Sequence, residues 1–222
     1  MLSISISPEF RERVPSFVGA FLELDVTNAP TSPELWGEIE TFCTELCSLY
    51  TPDTLKSQSG IAATRSAYKA CGKDPSRYRP ASEQLARRVL QGKDLYSVDT
   101  LVDLGNLASL FSGYPTGLLD ASKVEGAVVL GIGRADEPYE GIGRGVLNVE
   151  GLPLYRDSLG GIASPTSDST RTMLSAATSR LLFIINGYDG DRDQIQRTID
   201  FSLDLLRRYA GGKNESVVWF GE

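Results

Sequence analysis

The chain has 222 residues, carries 22 Lys and Arg against 29 Asp and Glu for a formal charge of −7, and contains no histidine. Hydrophobic residues make up 41% and charged residues 23%, an ordinary globular composition that excludes a disordered tail, a collagen and a coiled coil. Without imidazole, Ser-His-Asp and Cys-His machinery, histidine metal ligation and an untuned general base near neutrality are all excluded.

Residues 2–6 alternate apolar and polar with no basic segment before them, which predicts a strand rather than a signal peptide. Residues 17–24 predict a second strand. Ser32-Pro33-Glu34 marks a helix start, after which Leu35, Ile39, Phe42, Cys43, Leu46 and Cys47 share one face. Three cysteines make no disulfide framework, and Cys43 and Cys47 are read as small apolar residues in a packed seam. Further helices are expected over 61–70 (stopped by Gly72), over 82–91 (capped by Ser82, ended by Gly92) and over 100–111. Strands are expected at 125–131, 145–149 and 179–187, then an amphipathic helix over 189–209 and a last strand at 216–220. This grouping predicts an α+β fold, read as one unit over residues 1–222. The densest apolar runs, 127–130 and 181–185, fall far short of the roughly 20 residues that span a bilayer. A cytoplasmic protein with no membrane partner is therefore expected.

Charge is distributed unevenly. Residues 65–94 hold eight basic side chains, among them Lys73, Arg77, Arg79, Arg87 and Arg88, against three acidic ones. A basic island in an acidic chain points to a phosphate-bearing partner, or else to a solvated face with scattered ion pairs. Gly-Ile-Gly-Arg occurs at 131–134 and again at 141–144, the spacing of two sides of a hairpin. The first copy lacks the third glycine of a dinucleotide fingerprint and runs into Asp136-Glu137-Pro138, which would repel a pyrophosphate. Asp189–Asp193 superficially resembles a calcium loop, but Gln194 stands where that loop needs glycine, so these carboxylates are read as helix caps. Ser66-x-x-Lys69 matches a serine–lysine pair by two residues alone. Nine of the sixteen residues 164–179 bear hydroxyls, either as a polar loop or as a cleft lining that recognises ribose or an amino acid.

Two stretches are more specific when taken together: Arg65–Gly92, containing Arg79-Pro-Ala-Ser-Glu83, and Val102–Asp120, containing Asn106 and Gly113-Tyr-Pro-Thr-Gly117. In order and spacing they resemble the B3/B4 domain of the bacterial phenylalanyl-tRNA synthetase β subunit, and more closely the stand-alone B3/B4-domain proteins, most strongly over residues 65–175. The resemblance implies a three-layer α+β fold containing an unusual β-sandwich flanked by helices. It also implies a cleft that takes the 3′ end of a misacylated tRNA and hydrolyses the wrong amino acid, with neither metal nor cofactor. A whole synthetase is not expected, since 222 residues cannot hold its catalytic core. The cleft residues implied are Asn106, Gly113, Pro115, Gly117 and Asp120, together with Thr170 and Thr172 of the Asp168-Ser-Thr-Arg-Thr segment. Gly117 stands where editing synthetases have His, and Ser175 or Ala176 where they have Glu.

Physical reading of the same residues adds alternatives. Arg79, Arg87, Arg88 and Lys73 suit phosphate contact. Tyr68, Tyr78 and Tyr114 would stack on a base or flank an aromatic amino acid, or belong to the core. Asn106 is a ligand amide or a buried structural one, and Asp120 a ligand carboxylate or a turn. The expected partner is tRNA or aminoacyl-tRNA; the alternatives are a free amino acid in the same cleft or an acidic protein docked on the basic segment. All of this requires the arginines, Asn106, Asp120 and the hydroxyl patch to open onto one hollow.

Overall fold

The run Leu181–Ile185 has no polar position, which is the pattern of a strand covered on both faces. The computed structural model describes residues 2–221 and builds the fold around that strand. The first half comprises β1 (Ile4–Ile6), α1 (Pro8–Arg13), β2 (Val18–Asp25), α2 (Pro33–Leu49), α3 (Ser59–Cys71), α4 (Ala81–Leu90) and α5 (Thr100–Ser112). Short strands follow: β3 (Thr116–Asp120), β4 (Val128–Ile132), β5 (Glu140–Gly141), β6 (Gly145–Val146), β7 (Pro153–Asp157) and β8 (Gly160–Ala163). The chain ends with β9 (Arg180–Gly187), α6 (Arg192–Tyr209) and β10 (Lys213–Phe220).

β10, β2, β9 and β3 form an antiparallel sheet in that order, with Leu22 opposite Phe183 and Leu118 opposite Phe183 on its other side. β1, β4, β7 and β8 form a second sheet, parallel only between β1 and β4. Successive residues of a strand point to opposite faces, so β9 divides its side chains between two cores. Leu181, Phe183 and Ile185 pack with α2, α5 and α6 through residues such as Leu35, Leu104 and Ile199. Leu182 and Ile184 pack against Val128, Leu130, Tyr155 and Ile162 of the second sheet. The result is three layers: helices, central sheet, outer sheet. Asn186 ties the layers together, accepting a hydrogen bond from the Tyr155 hydroxyl at 2.6 Å and donating to the Pro115 carbonyl at 2.8 Å.

Most expected elements are present, with local corrections. A helix, α1, follows β1: Ser7 accepts from the Phe10 N–H and Pro8 occupies the first turn. The two Gly-Ile-Gly-Arg copies are not sides of one hairpin; β4 pairs with β7, and the second copy forms the turn of the β5–β6 ribbon. The strand expected at 145–149 shrinks to β6. Cys47 is exposed rather than packed, while Cys43 is half-buried. Ser82 lies inside α4 rather than capping it, and Asp191 caps α6 by accepting from the Gln194 N–H at 2.9 Å. Among the described residues no helix is long and apolar enough to cross a membrane.

Candidate functional site

One face of α5 carries Leu101, Leu104 and Ala108 into the core; Val102, Asn106 and Ser109 line a cleft beside the helix, Ser109 also meeting Thr116 of β3. The helix lies close against β3 because Gly105 has no side chain, a Cβ there falling 2.1 Å from Leu118 Cδ1. The gap is laced by polar contacts: Thr116 Oγ1 to the Gly105 carbonyl at 3.1 Å, and the Ser109 and Thr116 hydroxyls to each other at 2.8 Å. Gly105→Ala is expected to destabilise the protein by about 1 kcal/mol through overpacking, measured as a lower urea midpoint. It would also displace Leu118 into the space described next.

That space is a cleft of about 750 Å³ between α4, α5, the start of β3, the β5–β6 turn and residues 164–174. Leu85, Val102, Leu118 and Leu174 make an apolar wall, and Tyr96, 73% exposed, stands at the margin. Asn106, Ser164, Thr166, Ser167 and Asp168 bring polar groups to the same cleft. Asp168 is half-buried. Its Oδ2 accepts the Leu118 N–H at 3.1 Å, and its main-chain carbonyl accepts the Ile142 N–H at 2.9 Å. Among the described residues no hydrogen bond or ion pair engages its Oδ1, and burial without a counter-charge pushes the carboxyl up to about 7. Gly117 leaves room for this carboxylate, because a Cβ there would sit 3.3 Å from Asp168 Oδ1.

A second hollow of about 410 Å³ adjoins the cleft, sharing Gln84, Arg144 and Thr166 with it. Arg77, Arg79 and Arg144 line it, with no carboxylate among its lining residues. Gln84 stands at the junction, donating to the Arg79 carbonyl at 2.6 Å and accepting from Arg144 Nη2.

The remaining predicted residues are placed elsewhere. Gly113 ends α5 with φ 73°, and Pro115 presents its carbonyl to Asn186. Asp120 is buried as the last residue of β3, where it accepts from Ser122 Oγ at 2.6 Å and Thr178 Oγ1 at 2.9 Å. Although burial opposes it, these hydrogen bonds and Lys123 hold the Asp120 carboxyl below its ordinary range. Thr170 begins a short 3₁₀ turn, and Thr172 bonds the Ile162 carbonyl at 3.2 Å. Lys73 is buried, donating to the carbonyls of Asn148 and Glu150 at 2.9 and 2.7 Å, and its Nζ lies 3.8 Å from the centre of the Tyr78 ring. Arg65, Arg79 and Arg87 surround the fully buried carboxylate of Glu83 at 2.9, 3.5 and 2.8 Å. Arg88 donates to the Asp94 carbonyl at 2.6 Å and stacks over Tyr96, touching the cleft only through that ring. Tyr68 and Tyr114 are core residues, hydrogen-bonded to Thr166 and Asp189. Sequence reasoning thus passed over Gln84, Tyr96 and Arg144, and named Asp168 only as part of a motif. Among the described residues no cluster of three or more His, Cys, Asp or Glu side chains is arranged to hold a metal.

Residues 63–217 match the family model of the B3/4 domain, which is most of the chain. The protein belongs to the B3/4 domain family, and an α+β layered fold is what the structure contains. An N-terminal fragment of the phenylalanyl-tRNA synthetase β-subunit from Pyrococcus horikoshii is similar to it at a TM-score of 0.48 and 10% sequence identity. That match covers 97% of this chain and 50% of the other, so the chain spans about half that fragment's length. The comparison with curated proteins finds no match.

Proposed function

We propose that this B3/4 domain protein recognises the aminoacylated 3′ end of a tRNA, the aminoacyl group entering the cleft beside Asn106 and a terminal phosphate meeting Arg77, Arg79 and Arg144. One observation carries the reading: a cleft with an apolar wall and fixed polar groups adjoins a hollow lined by guanidinium groups, the two sharing Gln84, Arg144 and Thr166. Hydrolysis of a mischarged tRNA in trans is the reaction this placement would serve.

The test is binding of total tRNA at low and rising salt. The expected result is a salt-dependent complex whose log–log slope falls by about 1 to 2 in Arg77→Glu/Arg144→Glu. These two are the right positions to reverse, because Arg79 and Arg87 also neutralise Glu83 and their loss would disturb the fold. A deacylation assay with several mischarged tRNAs, comparing wild type with Asn106→Ala, then tests for hydrolysis. Absence of any salt-dependent shift would remove the proposal's support.

A second reading, a binder of free amino acids without RNA, is favoured by a specific observation. Lys73, Arg87 and Arg88 are held by internal partners rather than presented to a polyanion. Stabilisation against heat by an amino-acid panel and not by tRNA would select it.

A further inference from the structure

Asp168 is a carboxylate with no ion-pair partner among the described residues, and it lines a cleft whose surface combines an apolar wall with Asn106, several hydroxyls and the charged Asp99 and Arg144. Its orientation is fixed from two directions. The Leu118 N–H grips Oδ2, and its backbone is pinned to the β5–β6 ribbon by the Ile142 N–H and by the bridge between Gly141 and Ser169. Gly117, having no side chain, leaves room for Oδ1 beside β3, where a Cβ would lie 3.3 Å from it. The apolar wall of Val102, Leu118 and Leu174 lies in the same cleft. An ionised carboxylate in such surroundings is poorly solvated, and an incoming cation relieves that cost more than it would at an open surface.

We propose that Asp168 is the receptor for a ligand ammonium group, so that the cleft selects molecules with a primary amine on an apolar body. This deepens the reading of the cleft as a ligand pocket: it assigns the residue that would distinguish a free α-amino group from a blocked one. A bound amine would donate to the Asp168 carboxylate where that residue lines the cleft, while its apolar body lies along the Leu118 and Leu174 wall. The guanidinium-lined hollow next door remains free for an anionic part of the same ligand.

The experiment is calorimetric titration of the full chain at pH 8 and low ionic strength with phenethylamine and with 2-phenylethanol. The two share an aromatic body and differ in carrying a cationic or a neutral head. Wild type is expected to bind phenethylamine at least tenfold more tightly. Asp168→Asn, which keeps an acceptor for the Leu118 N–H, is expected to bring the two probes to within about twofold of each other. Thermal melting of the variant verifies that it is folded. Equal binding of the two probes by wild type, absence of measurable binding of either, or an amine preference that survives in a folded Asp168→Asn would each overturn the assignment. If amine selectivity holds while tRNA gives no complex, the functional proposal fails and this inference stands; the converse result separates them the other way.

Discussion

Glu83→Gln is expected to lower the unfolding free energy by about 3 kcal/mol, the low end of what removing one partner from a buried ion pair costs. Glu83 is fully buried, and its two oxygens face three guanidinium groups contributed by α3, by the loop before α4 and by α4 itself. The glutamine keeps the shape and one acceptor but not the charge, so Arg65, Arg79 and Arg87 are left repelling one another. They are each partly exposed, which lets them turn toward water and keeps the cost from reaching the high end. Chemical denaturation of the two proteins measures the difference. A loss under about 1 kcal/mol would show that solvent already screens the cluster. Arg87→Leu is expected to cost less than Glu83→Gln, because two cations still face the carboxylate. That ordering, rather than either value alone, identifies Glu83 as the hub.

The cluster also explains why charge counting along the chain was informative but incomplete. The excess of basic residues in 65–94 is visible in the sequence, and so is Glu83. What spacing alone did not show is that one acidic residue, four after Arg79 and four before Arg87 on a helix, would be buried while Arg65 returned to it from α3. The arginines that remain open to solvent near the cleft, Arg77 and Arg144, differ from those the pattern favoured.

Secondary structure was legible where burial imposes a period. α5 was readable because its leucines recur at helical spacing, and β9 because its run is unbroken. β3, β7 and β8 are short strands containing or flanked by Gly and Pro, with too few residues for alternation to register. The hydroxyl patch divides in the same way. Ser164, Thr166 and Ser167 line the cleft, whereas Thr172 and Thr178 bond internally to the Ile162 carbonyl and to Asp120. Composition marked the segment; only tertiary placement separates the two groups. The cleft itself depends on contacts between residues distant in sequence. Gly117 and Asp168 meet 51 positions apart because β3 lies beside the segment that precedes β9.

Asp168→Asn is expected to stabilise the protein by about 2 kcal/mol at pH 8 and by almost nothing at pH 4, a value well below the full displacement because the side chain opens onto the cleft. The sign follows from linkage. The Asp168 carboxyl titrates near 3.8 when unfolded and near 7 when folded, burial being the cause. Between those values the folded chain holds a proton that the unfolded chain has released, so this group's contribution is complete below the lower value and is lost as pH rises through the upper one. Beside it, Tyr139 and Tyr155 are kept neutral by burial, and Asp99 and Arg144 are the other charged groups lining the cleft. Asp120, Glu137 and Asp157 are shifted the opposite way by their hydrogen bonds and ion-pair partners, so they lose stability as pH falls. The whole-protein profile therefore mixes both signs. The informative quantity is the difference between variant and wild type from pH 4 to pH 8 in urea. A flat difference would mean that Asp168 is as well solvated folded as unfolded, and a falling one that an unseen cation pairs with it.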